Sequence, residues 1–498
     1  MEMKHELRKL LSGLAVEQVL GSIDTTFTGI TYDSRRAKPG DLFVCIEGFR
    51  QDGHDFIPEA IEKGCTGVVV QKEEPVPEGV TMVRVSDTRL ALAHLSAAFY
   101  NYPSRKLRLI GVTGTNGKTT TTHLIEAILR QAGYKTGLIG TIHNRIGEET
   151  LPVERTTPES LDLQELFARM VEAGVDYCVM EVSSHALSLE RVACCEFDLG
   201  VFTNLTQDHL DFHNTISDYL AAKEKLFTLL GLPTPKKGTR AAVINVDDPG
   251  GREIAGRCPV PWLGYGLGEE ADLRAVSVQI GSRGVKFTAC GRGREIPLTL
   301  KLTGMFSVYN ALAAIGVGLT EGIDPQVIAR ALAAVPGVPG RFESIDEGQD
   351  FSVIVDYAHT PDGLENILKA AAEFVRGRRI IVFGCGGDRD RTKRPIMGKI
   401  AAENADYVII TSDNPRSEDP LAIIADIEPG VKAGGKSGAG YEIIPDRKEA
   451  IAAAIAIARK DDMVILAGKG HETYQIIGNR TLPFDDREVA REALRRKI

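Results

Sequence analysis

A glycine-rich run that contains a lysine and adjacent threonines is the segment of this sequence best suited to phosphate chemistry. It reads Gly111-Val-Thr-Gly-Thr-Asn-Gly-Lys-Thr-Thr120, between a predicted strand at residues 107–112 and a predicted helix that runs to about Ala132. In such a turn, backbone amides hold phosphates, a lysine neutralises them and a hydroxyl binds magnesium. The run therefore predicts a nucleotide site in which Lys118 meets the phosphates and Thr119 meets the metal.

Carboxylates and histidines with the chemistry of metal ligands follow further along the chain. Glu181 ends a predicted strand next to the expected phosphate site, where a carboxylate can hold the metal that bridges ATP phosphates. Asp208, His209, Asp211 and His213 lie within six positions. On a helix, His209 and His213 would face one zinc ion, as in a metallohydrolase, although the HExxH glutamate of such enzymes is missing. The residues alone leave magnesium and zinc both open.

A predicted amphipathic helix carries a lysine to which the residues alone assign no chemistry. The segment reads Asp218-Tyr-Leu-Ala-Ala-Lys-Glu-Lys-Leu-Phe227. Its pattern is typical of an ordinary helix and predicts that Lys223 lies at the solvent-exposed surface.

Three segments in the last part of the chain together supply arginine, acidic and amide side chains. They are Gly384-Cys-Gly-Gly-Asp-Arg-Asp390, Asp413-Asn-Pro-Arg416 and Gly468-Lys-Gly-His-Glu472, and each follows a predicted strand. Ligands of open α/β sheets bind at the carboxyl ends of the strands, so we expect the three loops to form one pocket. Arg389 and Arg416 would grip a carboxylate, and Glu472 would accept an ammonium. Such a pocket fits a side chain that ends in both groups better than lysine, which would leave Arg416 unpaired.

The order of predicted elements indicates an α/β protein of three domains. A typical domain has roughly 150 residues, so a chain of 498 residues predicts about three. Residues 1–103 alternate short strands and helices in a small N-terminal domain. Residues 104–335 predict a doubly wound parallel sheet around the phosphate loop, and residues 336–498 predict a Rossmann-like sheet after a Pro-Gly linker.

Composition and charge exclude several classes of function. The net charge of -9 argues against general binding to nucleic acid or anionic membranes, which requires clustered Lys and Arg. The eight cysteines form no CxxC pair, which favours a reducing compartment. The N-terminus lacks the pattern of a signal peptide, and no apolar run reaches the ~18 residues of a membrane span. We therefore expect a cytoplasmic protein.

Taken together, these motifs resemble those of the Mur ligase family. The G-x-TGT-x-GKTT form of the phosphate loop is the one found in that family and in the related folylpolyglutamate synthases, whereas an ordinary P-loop has one residue fewer before its GK pair. The family's A-K-x-x-L/I-F/Y pattern matches residues 222–227, and Asp-Asn-Pro-Arg is its diaminopimelate-type signature. The resemblance runs from Tyr32-Asp-Ser-Arg35 to Glu472, with the motifs in the family's order.

The resemblance implies an ATP-dependent ligase that forms an amide bond. The expected reaction joins meso-diaminopimelate to the γ-carboxylate of D-glutamate in UDP-N-acetylmuramoyl-L-alanyl-D-glutamate through an acyl phosphate, in cytoplasmic synthesis of the peptidoglycan precursor. The resemblance also implies ATP, two Mg²⁺ ions and carbamylation of Lys223, since a carbamate turns a cation into an oxygen ligand for metal. We expect a monomer that takes these small-molecule substrates, binds no nucleic acid and has no membrane span.

The resemblance also assigns roles to the positions that match the family's motifs. The implied catalytic residues are Lys118, Lys223 and His209, and the implied metal ligands are Thr119, Glu181, His209 and carbamylated Lys223. The implied ATP site comprises Gly114, Thr115, Asn116, Gly117, Lys118, Thr119, Thr120, Asn310, Arg341 and Asp356. The implied site for the UDP-sugar peptide comprises Tyr32, Ser34, Thr156, Thr157, Ser183 and Arg191. The implied diaminopimelate site comprises Arg389, Asp413, Asn414, Pro415, Arg416, Gly468 and Glu472.

The sequence departs from the family pattern at two places, and several alternative functions remain compatible with it. Ser307 stands where many relatives have a second asparagine near adenine, and Gly48-Phe-Arg-Gln-Asp-Gly53 departs from the commoner filling of the uridine segment. The alternatives are an L-lysine-adding ligase of the same family, a folylpolyglutamate synthase, a P-loop ATPase of another class, and a zinc hydrolase at His209 and His213.

Overall fold

The computed structural model of the chain describes residues 4–49, 51–206, 212–281, 284–435 and 440–497. Contacts divide the chain into two compact units, Met1–Gly264 and Tyr265–Ile498. Both units combine helices and strands. Within the described ranges, no helix is long and apolar enough to cross a membrane.

The N-terminal part of the first unit is a small sheet with short helices. Its strands are β1 (His5–Glu6), β2 (Gln18–Leu20), β3 (Thr26–Phe27), β4 (Gly29–Thr31), β5 (Asp41–Val44), β6 (Gly67–Val70) and β7 (Thr81–Arg84), and its helices are α1 (Leu7–Leu10), α2 (Ile57–Glu62) and α3 (Thr88–Phe99). The main sheet has the order β2-β7-β6-β5-β4. Strands β5 and β6 are buried along their whole length, since apolar clusters cover both faces of the sheet.

The rest of the first unit is a mostly parallel sheet with helices. The strands are β8 (Arg108–Thr113), β9 (Thr136–Ile139), β10 (Asn144–Ile146), β11 (Glu149–Leu151), β12 (Tyr177–Glu181), β13 (Leu199–Phe202), β14 (Ala241–Asn245) and β15 (Trp262–Gly266). The helices are α4 (Lys118–Gln131), α5 (Ser160–Glu172), α6 (Ser184–Ser188), α7 (Ile216–Gly231) and α8 (Pro249–Arg257). The central order is β9-β12-β8-β13-β14, all parallel. The carboxyl ends of β12, β8 and β13 are therefore neighbours, which is where α/β sheets bind ligands.

The second unit contains an antiparallel set of strands and a six-stranded sheet. Its strands are β16 (Leu273–Gly281), β17 (Gly284–Gly291), β18 (Arg294–Leu300), β19 (Glu343–Ser344), β20 (Ser352–Asp356), β21 (Arg379–Phe383), β22 (Tyr407–Ile410), β23 (Gly440–Ile443), β24 (Met463–Ala467), β25 (Tyr474–Ile477) and β26 (Arg480–Pro483). Its helices are α9 (Met305–Thr320), α10 (Pro325–Ala334), α11 (Pro361–Ala372), α12 (Lys393–Asn404), α13 (Pro420–Gly434), α14 (Arg447–Ile457) and α15 (Asp486–Lys497). The six-stranded sheet has the order β19-β20-β24-β21-β22-β23. Helices α11 to α13 contribute to one apolar cluster, and α14 and α15 contribute to another.

The sequence predicted the strands that carry the candidate loops and missed an antiparallel insertion. The residue patterns at 352–356, 379–383 and 463–467 predict strands, and that at 88–99 predicts a helix, with the bounds that β20, β21, β24 and α3 have. The expectation of continuous βα alternation up to residue 335 was wrong, because β16, β17 and β18 pair antiparallel. Buried and exposed residues alternate along β18, which shows that only one face of this strand is covered. Its sequence therefore lacks the continuous apolar run that is typical of a parallel sheet. The domain limits at residues 103 and 335 stay predictions.

Candidate active site

The phosphate loop connects the end of β8 to the first residue of α4. Gly114 has a φ of +149°, and a Cβ at this position would lie 1.9 Å from the Thr203 hydroxyl oxygen, so the turn requires glycine. Lys118 folds back over the loop, where its Nζ donates to the carbonyl oxygens of Gly114 at 2.9 Å and Thr115 at 2.8 Å. Backbone amides of the first turn of α4 point along the helix axis and favour an anion. The loop is thus a preformed site for phosphate.

A second loop, which follows β13, braces the phosphate loop. Asn204 accepts hydrogen bonds from the Thr115 amide through its carbonyl oxygen (2.8 Å) and from the Asn116 amide through Oδ1 (2.9 Å). The Thr203 hydroxyl donates to the Asn116 carbonyl at 2.7 Å. Thr203 and Asn204 were assigned no role from the sequence. Their position after a strand adjacent to β8 was the available signal, since the loops at the ends of neighbouring parallel strands meet.

Two of the four predicted metal ligands, Thr119 and Glu181, lie together. The Thr119 hydroxyl donates to Glu181 Oε2 at 3.0 Å, and Glu181 is only 1% exposed. Thr141 completes the group, because its amide donates to Glu181 Oε1 (2.8 Å) and its hydroxyl to Oε2 (3.1 Å). The Thr141 hydroxyl also lies 3.1 Å from that of Thr156. Such oxygen donors are the ligands that Mg²⁺ prefers.

Besides Thr156, three of the residues predicted to bind the sugar peptide are connected to this oxygen cluster. The Thr157 hydroxyl donates to the Glu181 carbonyl at 2.9 Å and accepts from the Ser183 amide at 3.1 Å. Arg191 donates to the Thr157 carbonyl at 3.2 Å and to Glu159 Oε2 at 3.2 Å. Burial lowers the pKa of the Arg191 guanidinium, and Glu159 opposes that shift. Glu159, which the sequence did not single out, is the counterion that holds Arg191.

Lys223 lies in the interior. It is 1% exposed on α7, so the expectation of a surface lysine was wrong. Its Nζ lies 4.1 Å from the ring centroid of Tyr219, and that ring lies 5.0 Å from the ring of His213. The predicted ligand His209 falls outside the described residues. His213 precedes α7, and within the described ranges no group of three or more His, Cys, Asp or Glu is placed to hold a metal, so they lend the zinc alternative no support.

The predicted uridine residues are tied to neighbouring carboxylates. The Tyr32 hydroxyl donates to Asp162 at 2.5 Å, and burial together with Asp162 raises the pKa of Tyr32. The Ser34 hydroxyl, which is 5% exposed, donates to Glu59 Oε2 at 2.8 Å. These bonds hold both side chains in place at the end of β4.

In the second unit, the predicted nucleotide residues occupy two places. Asn310 is buried on α9. The Asp356 carboxylate, at the end of β20, accepts from the amides of Phe342 at 2.7 Å and Ala358 at 2.8 Å. Burial raises the pKa of the Asp356 carboxyl, and the charge of Arg341 opposes that shift. The charge of Arg341 therefore acts on Asp356, and the role of both residues in binding ATP stays a prediction.

Two of the predicted amine-binding loops meet around Asn414. Asn414 Nδ2 donates to Glu472 Oε2 at 2.8 Å, and the backbone amide of Ile476 donates to Asn414 Oδ1 at 2.9 Å. Lys469 lies beneath both side chains, with its Nζ 3.1 Å from Glu472 Oε2 and 3.2 Å from Asn414 Oδ1. The sequence assigned no role to Lys469, although it stands inside the quoted motif.

Arg416 is held by its backbone as well as by its side chain. Its φ is +52°, its amide donates to the Ile476 carbonyl at 3.0 Å, and its carbonyl accepts from the Gly478 amide at 2.7 Å. The guanidinium donates through Nη1 to the Gly387 carbonyl at 2.9 Å. A Cβ on Gly387 would lie 1.8 Å from the Pro415 carbonyl oxygen, so glycine permits this close packing of two loops.

The remaining predicted amine-site residues lie at the same end of the sheet. A Cβ on Gly468 would lie 2.6 Å from Asp413 Oδ2, and Asp413 itself is 8% exposed. A Cβ on Gly386 would lie 2.9 Å from Arg416 Nη1 and 3.8 Å from Arg389 Cγ. The structure therefore brings the three loops together at the carboxyl ends of β21, β22 and β24.

Comparison with known proteins gives matches over nearly the whole chain. Sequence profiles match for the Mur ligase family catalytic domain at residues 26–100, the Mur ligase middle domain at 112–318, and the Mur ligase glutamate ligase domain at 340–470. The chain is 51% identical over 493 residues to the UDP-N-acetylmuramoyl-L-alanyl-D-glutamate--2,6-diaminopimelate ligase of Syntrophomonas wolfei subsp. wolfei, covering 99% of this chain and 100% of the relative. The chain belongs to the Mur ligase family.

Other Mur ligases match over a similar length. A relative of the same name from Caldanaerobacter subterraneus subsp. tengcongensis is 50% identical over 485 residues, covering 97% of this chain and 98% of the relative. A solved structure of an enzyme with that name is 31% identical, covers 99% of each chain and superposes with a TM-score of 0.70. The chain is therefore an ATP-dependent ligase that forms amide bonds, with the α/β fold of its family.

Proposed function

We propose that this ligase adds meso-diaminopimelate to the D-glutamate γ-carboxylate of UDP-N-acetylmuramoyl-L-alanyl-D-glutamate, in synthesis of the peptidoglycan precursor. The relatives that match over nearly the whole chain carry the name of this activity. The observation that carries the choice of amine is the arrangement around Asn414, which contacts the Glu472 carboxylate at 2.8 Å and the Arg416 guanidinium at 3.5 Å. The side-chain amide of Asn414 donates to Glu472 and its backbone carbonyl accepts from Arg416, so this one residue places an acceptor for ammonium beside a donor for carboxylate.

The unused hydrogen-bonding groups of Glu472 and Arg416 fit a side chain that ends in both an ammonium and a carboxylate. Glu472 Oε2 is taken by Asn414 and Lys469, whereas no described residue donates to Oε1. Arg416 uses Nη1 for the Gly387 carbonyl, and its Nε and Nη2 have no hydrogen-bond partner within the described ranges. We assign Oε1 to the remote ammonium of diaminopimelate and the Arg416 fork, with Arg389, to its carboxylate. Asp413, Pro415 and Gly468 shape the loops that present them.

In our proposal ATP binds to the loop from Gly114 to Thr120, with its phosphates on the backbone amides and on Lys118. The adjacent oxygens of Thr119 and Glu181 suit a Mg²⁺ ion, and such an ion would neutralise charge on the β and γ phosphates. By their match to the family's motifs, Asn310, Arg341 and Asp356 are assigned to nucleotide binding as well. Positioning and charge neutralisation, rather than covalent chemistry by the protein, would lower the barrier to phosphoryl transfer.

The reaction then proceeds in two displacements. The γ-carboxylate of D-glutamate attacks the γ-phosphorus of ATP, which forms an acyl phosphate and releases ADP. The amine of diaminopimelate attacks the acyl carbon, which forms the amide and releases inorganic phosphate. Lys118 stays beside the transferring group and screens its charge. Tyr32 and Ser34 hold the uridine end, and Thr156, Thr157, Ser183 and Arg191 hold the peptide end.

We further propose that Lys223 is carbamylated and, with His209, holds a second Mg²⁺ ion. The interior position of Lys223 supports this, because burial of an ammonium is costly and an uncharged amine can add CO₂ to give a carbamate and a proton. Intact-mass analysis in bicarbonate should show the adduct, and Lys223→Ala should lose turnover that a short-chain carboxylate restores. Full activity of Lys223→Ala without carboxylate would contradict the role. Lys225→Ala, at an exposed lysine on the same helix, is the matched control.

The deciding experiment measures ADP release by the purified protein with ATP, magnesium and UDP-N-acetylmuramoyl-L-alanyl-D-glutamate. Meso-diaminopimelate, L-lysine and no amine are compared, a folate with glutamate replaces the sugar peptide and amine in a separate reaction, and omission of the sugar peptide is the control. Release that requires diaminopimelate supports the proposal. Release with lysine alone would select the lysine-adding ligase, release with folate and glutamate would select a folylpolyglutamate synthase, and release indifferent to every substrate would select a plain P-loop ATPase.

We also propose that the enzyme acts in the cytoplasm as a monomer. Its substrates are charged small molecules, and its net charge of -9 does not favour anionic surfaces. Light scattering coupled to size-exclusion chromatography should give the mass of one chain, 54.0 kDa.

A further inference from the structure

Lys469, in the loop that follows β24, is a fully buried lysine next to the proposed amine pocket. Its side chain is 0% exposed, whereas the side chain of its partner Glu472 keeps 15%. Lysine is rarely buried to this extent unless its charge is paired. Here the ammonium lies 3.1 Å from Glu472 Oε2 and 3.2 Å from Asn414 Oδ1. Glu472 therefore reaches the pocket surface already paired with a cation behind it.

The same contacts fix which way the Asn414 amide faces. Asn414 Oδ1 accepts from Lys469 and, at 2.9 Å, from the Ile476 amide. Its Nδ2 must then face Glu472, where it donates to Oε2 at 2.8 Å. Lys469 and Asn414 together occupy one carboxylate oxygen and leave the other toward the pocket.

This arrangement sets the charge that an incoming side chain meets. Lys469 and Glu472 form a neutral pair, and Arg416, whose Nη1 donates to the Asn414 backbone carbonyl at 3.5 Å, adds a positive charge. A side chain that ends only in an ammonium would meet a carboxylate already neutralised and a guanidinium beside it. A side chain that ends in ammonium and carboxylate supplies a partner to both. Rejection of the wrong ligand by like charge is a common source of specificity.

We propose that Lys469 is a specificity-determining residue, which neutralises and orients Glu472 so that the pocket rejects a side chain that carries only an amine. The inference rests on the proposed function and deepens it. Arg416 attracts the carboxylate of diaminopimelate, and Lys469 supplies the repulsion that excludes lysine.

Two variants separate the charge of Lys469 from its hydrogen bonds. Lys469→Met removes both, and Lys469→Gln keeps a donor near Asn414 and Glu472 without the charge. In both, we expect the ratio of kcat/KM for meso-diaminopimelate to kcat/KM for L-lysine to fall by about tenfold or more, chiefly through the two amine KM values. The KM values for ATP and for the sugar peptide should stay unchanged. Lys399→Met, at a lysine that is 58% exposed on α12, is the matched control and should keep the wild-type ratio.

The wild-type enzyme provides a test that needs no variant. L-lysine is diaminopimelate without the remote carboxylate, and L-2-aminopimelate is diaminopimelate without the remote amine. Because Glu472 is paired from behind, we expect the wild type to use L-2-aminopimelate with a higher kcat/KM than L-lysine. A preference for lysine would overturn the inference even if the variants do not fold.

The outcomes also separate this inference from the proposed function. An unchanged amine ratio in the variants, or a fall in kcat and in thermal stability with the ratio intact, would give Lys469 a merely structural role and overturn the inference alone. Wild-type turnover that does not depend on the amine would overturn the proposed function and this inference with it. Turnover that requires diaminopimelate, with relaxed discrimination in both variants, establishes both.

Discussion

The buried ion pair between Arg447 and Asp486 gives a prediction whose size follows from the structure. The Arg447 guanidinium donates to both Asp486 oxygens at 2.8 and 2.6 Å, and both side chains are 0% exposed. Burial works against the charged form of Arg447, yet Asp486 raises its pKa above the ordinary value. Asp486→Asn keeps the shape and removes the countercharge, and breaking a buried pair in this way costs about 3–5 kcal/mol.

The lower end of that range applies here, since Arg447 keeps a hydrogen bond to the Ala467 carbonyl at 3.0 Å. We expect a loss of about 3 kcal/mol, which for a domain of this size lowers the unfolding midpoint by about 6–12 °C. Thermal unfolding followed by circular dichroism, together with urea titration, measures both quantities. Glu403→Gln is the control: its pair with Lys399 is exposed, and we expect a change of at most about 1 kcal/mol.

A double variant distinguishes charge from packing. Arg447→Met with Asp486→Leu removes both charges, so it should be more stable than Asp486→Asn. The single variant should also raise the KM for diaminopimelate, because Ala467 immediately precedes the amine-binding loop at Gly468. A single variant as stable as the control, or a double variant less stable than the single one, would refute the view that this pair is held together by charge.

Three further predictions concern the phosphate loop, acid stability and amine choice. Gly114→Ala places a methyl group 1.9 Å from the Thr203 hydroxyl oxygen and should lower ADP release by about a hundredfold, whereas Gly256→Ala, which meets nothing within 4 Å, should keep wild-type turnover. Burial lowers the pKa of His143 to about 4, below the value of about 6.5 in an unfolded chain. As the pH falls from about 6.5 towards 4, the unfolded state binds a proton that the folded state does not, so the free energy of unfolding decreases. Unfolding midpoints of His143→Gln should depend less on pH over this interval, and an equal slope would contradict the assignment. Arg416→Lys loses the planar fork and should raise the KM for diaminopimelate about tenfold or more without changing the KM for ATP, and an unchanged amine KM would count against Arg416 as the carboxylate partner.

The sequence reveals those parts of the site that are local in the chain. The phosphate loop was predicted because strand, glycines, lysine and helix are consecutive, and the three amine loops were predicted because each follows an apolar strand run. The proximity of Thr119 to Glu181 was also expected, because Thr119 follows the loop after β8 and Glu181 ends the neighbouring strand β12.

Contacts between distant segments were not predictable in the same way. Thr141 reaches Glu181 only because β9 lies beside β12, and the interior position of Lys223 depends on what covers α7. A helix with polar residues on several faces does not show which face the protein buries, since that is decided by the elements packed on it. Lys469 was overlooked for a related reason: a lysine in a glycine-rich loop usually lies in solvent, and its burial depends on Asn414, a residue on another loop.

Buried cations beneath the amine loops explain how three separate segments hold one geometry. Arg394, which is 0% exposed, donates to Glu418 and Asp426 and to the Gly386 carbonyl in the first loop. Arg447 bonds to the residue before the last loop, and Lys469 bonds inside it. Each cation has a carboxylate partner, so the cost of burying its charge is offset by the pair. Because each pair also bonds to a loop, removal of one partner leaves a charge without its counterion and a loop without its hydrogen bond. An apolar layer of the same volume would support the loops but would not fix the hydrogen bonds of Asn414 and Glu472. We therefore expect substitutions in these three pairs to alter amine KM values more than kcat, and substitutions in the apolar clusters on the two faces of the same sheet to alter stability alone.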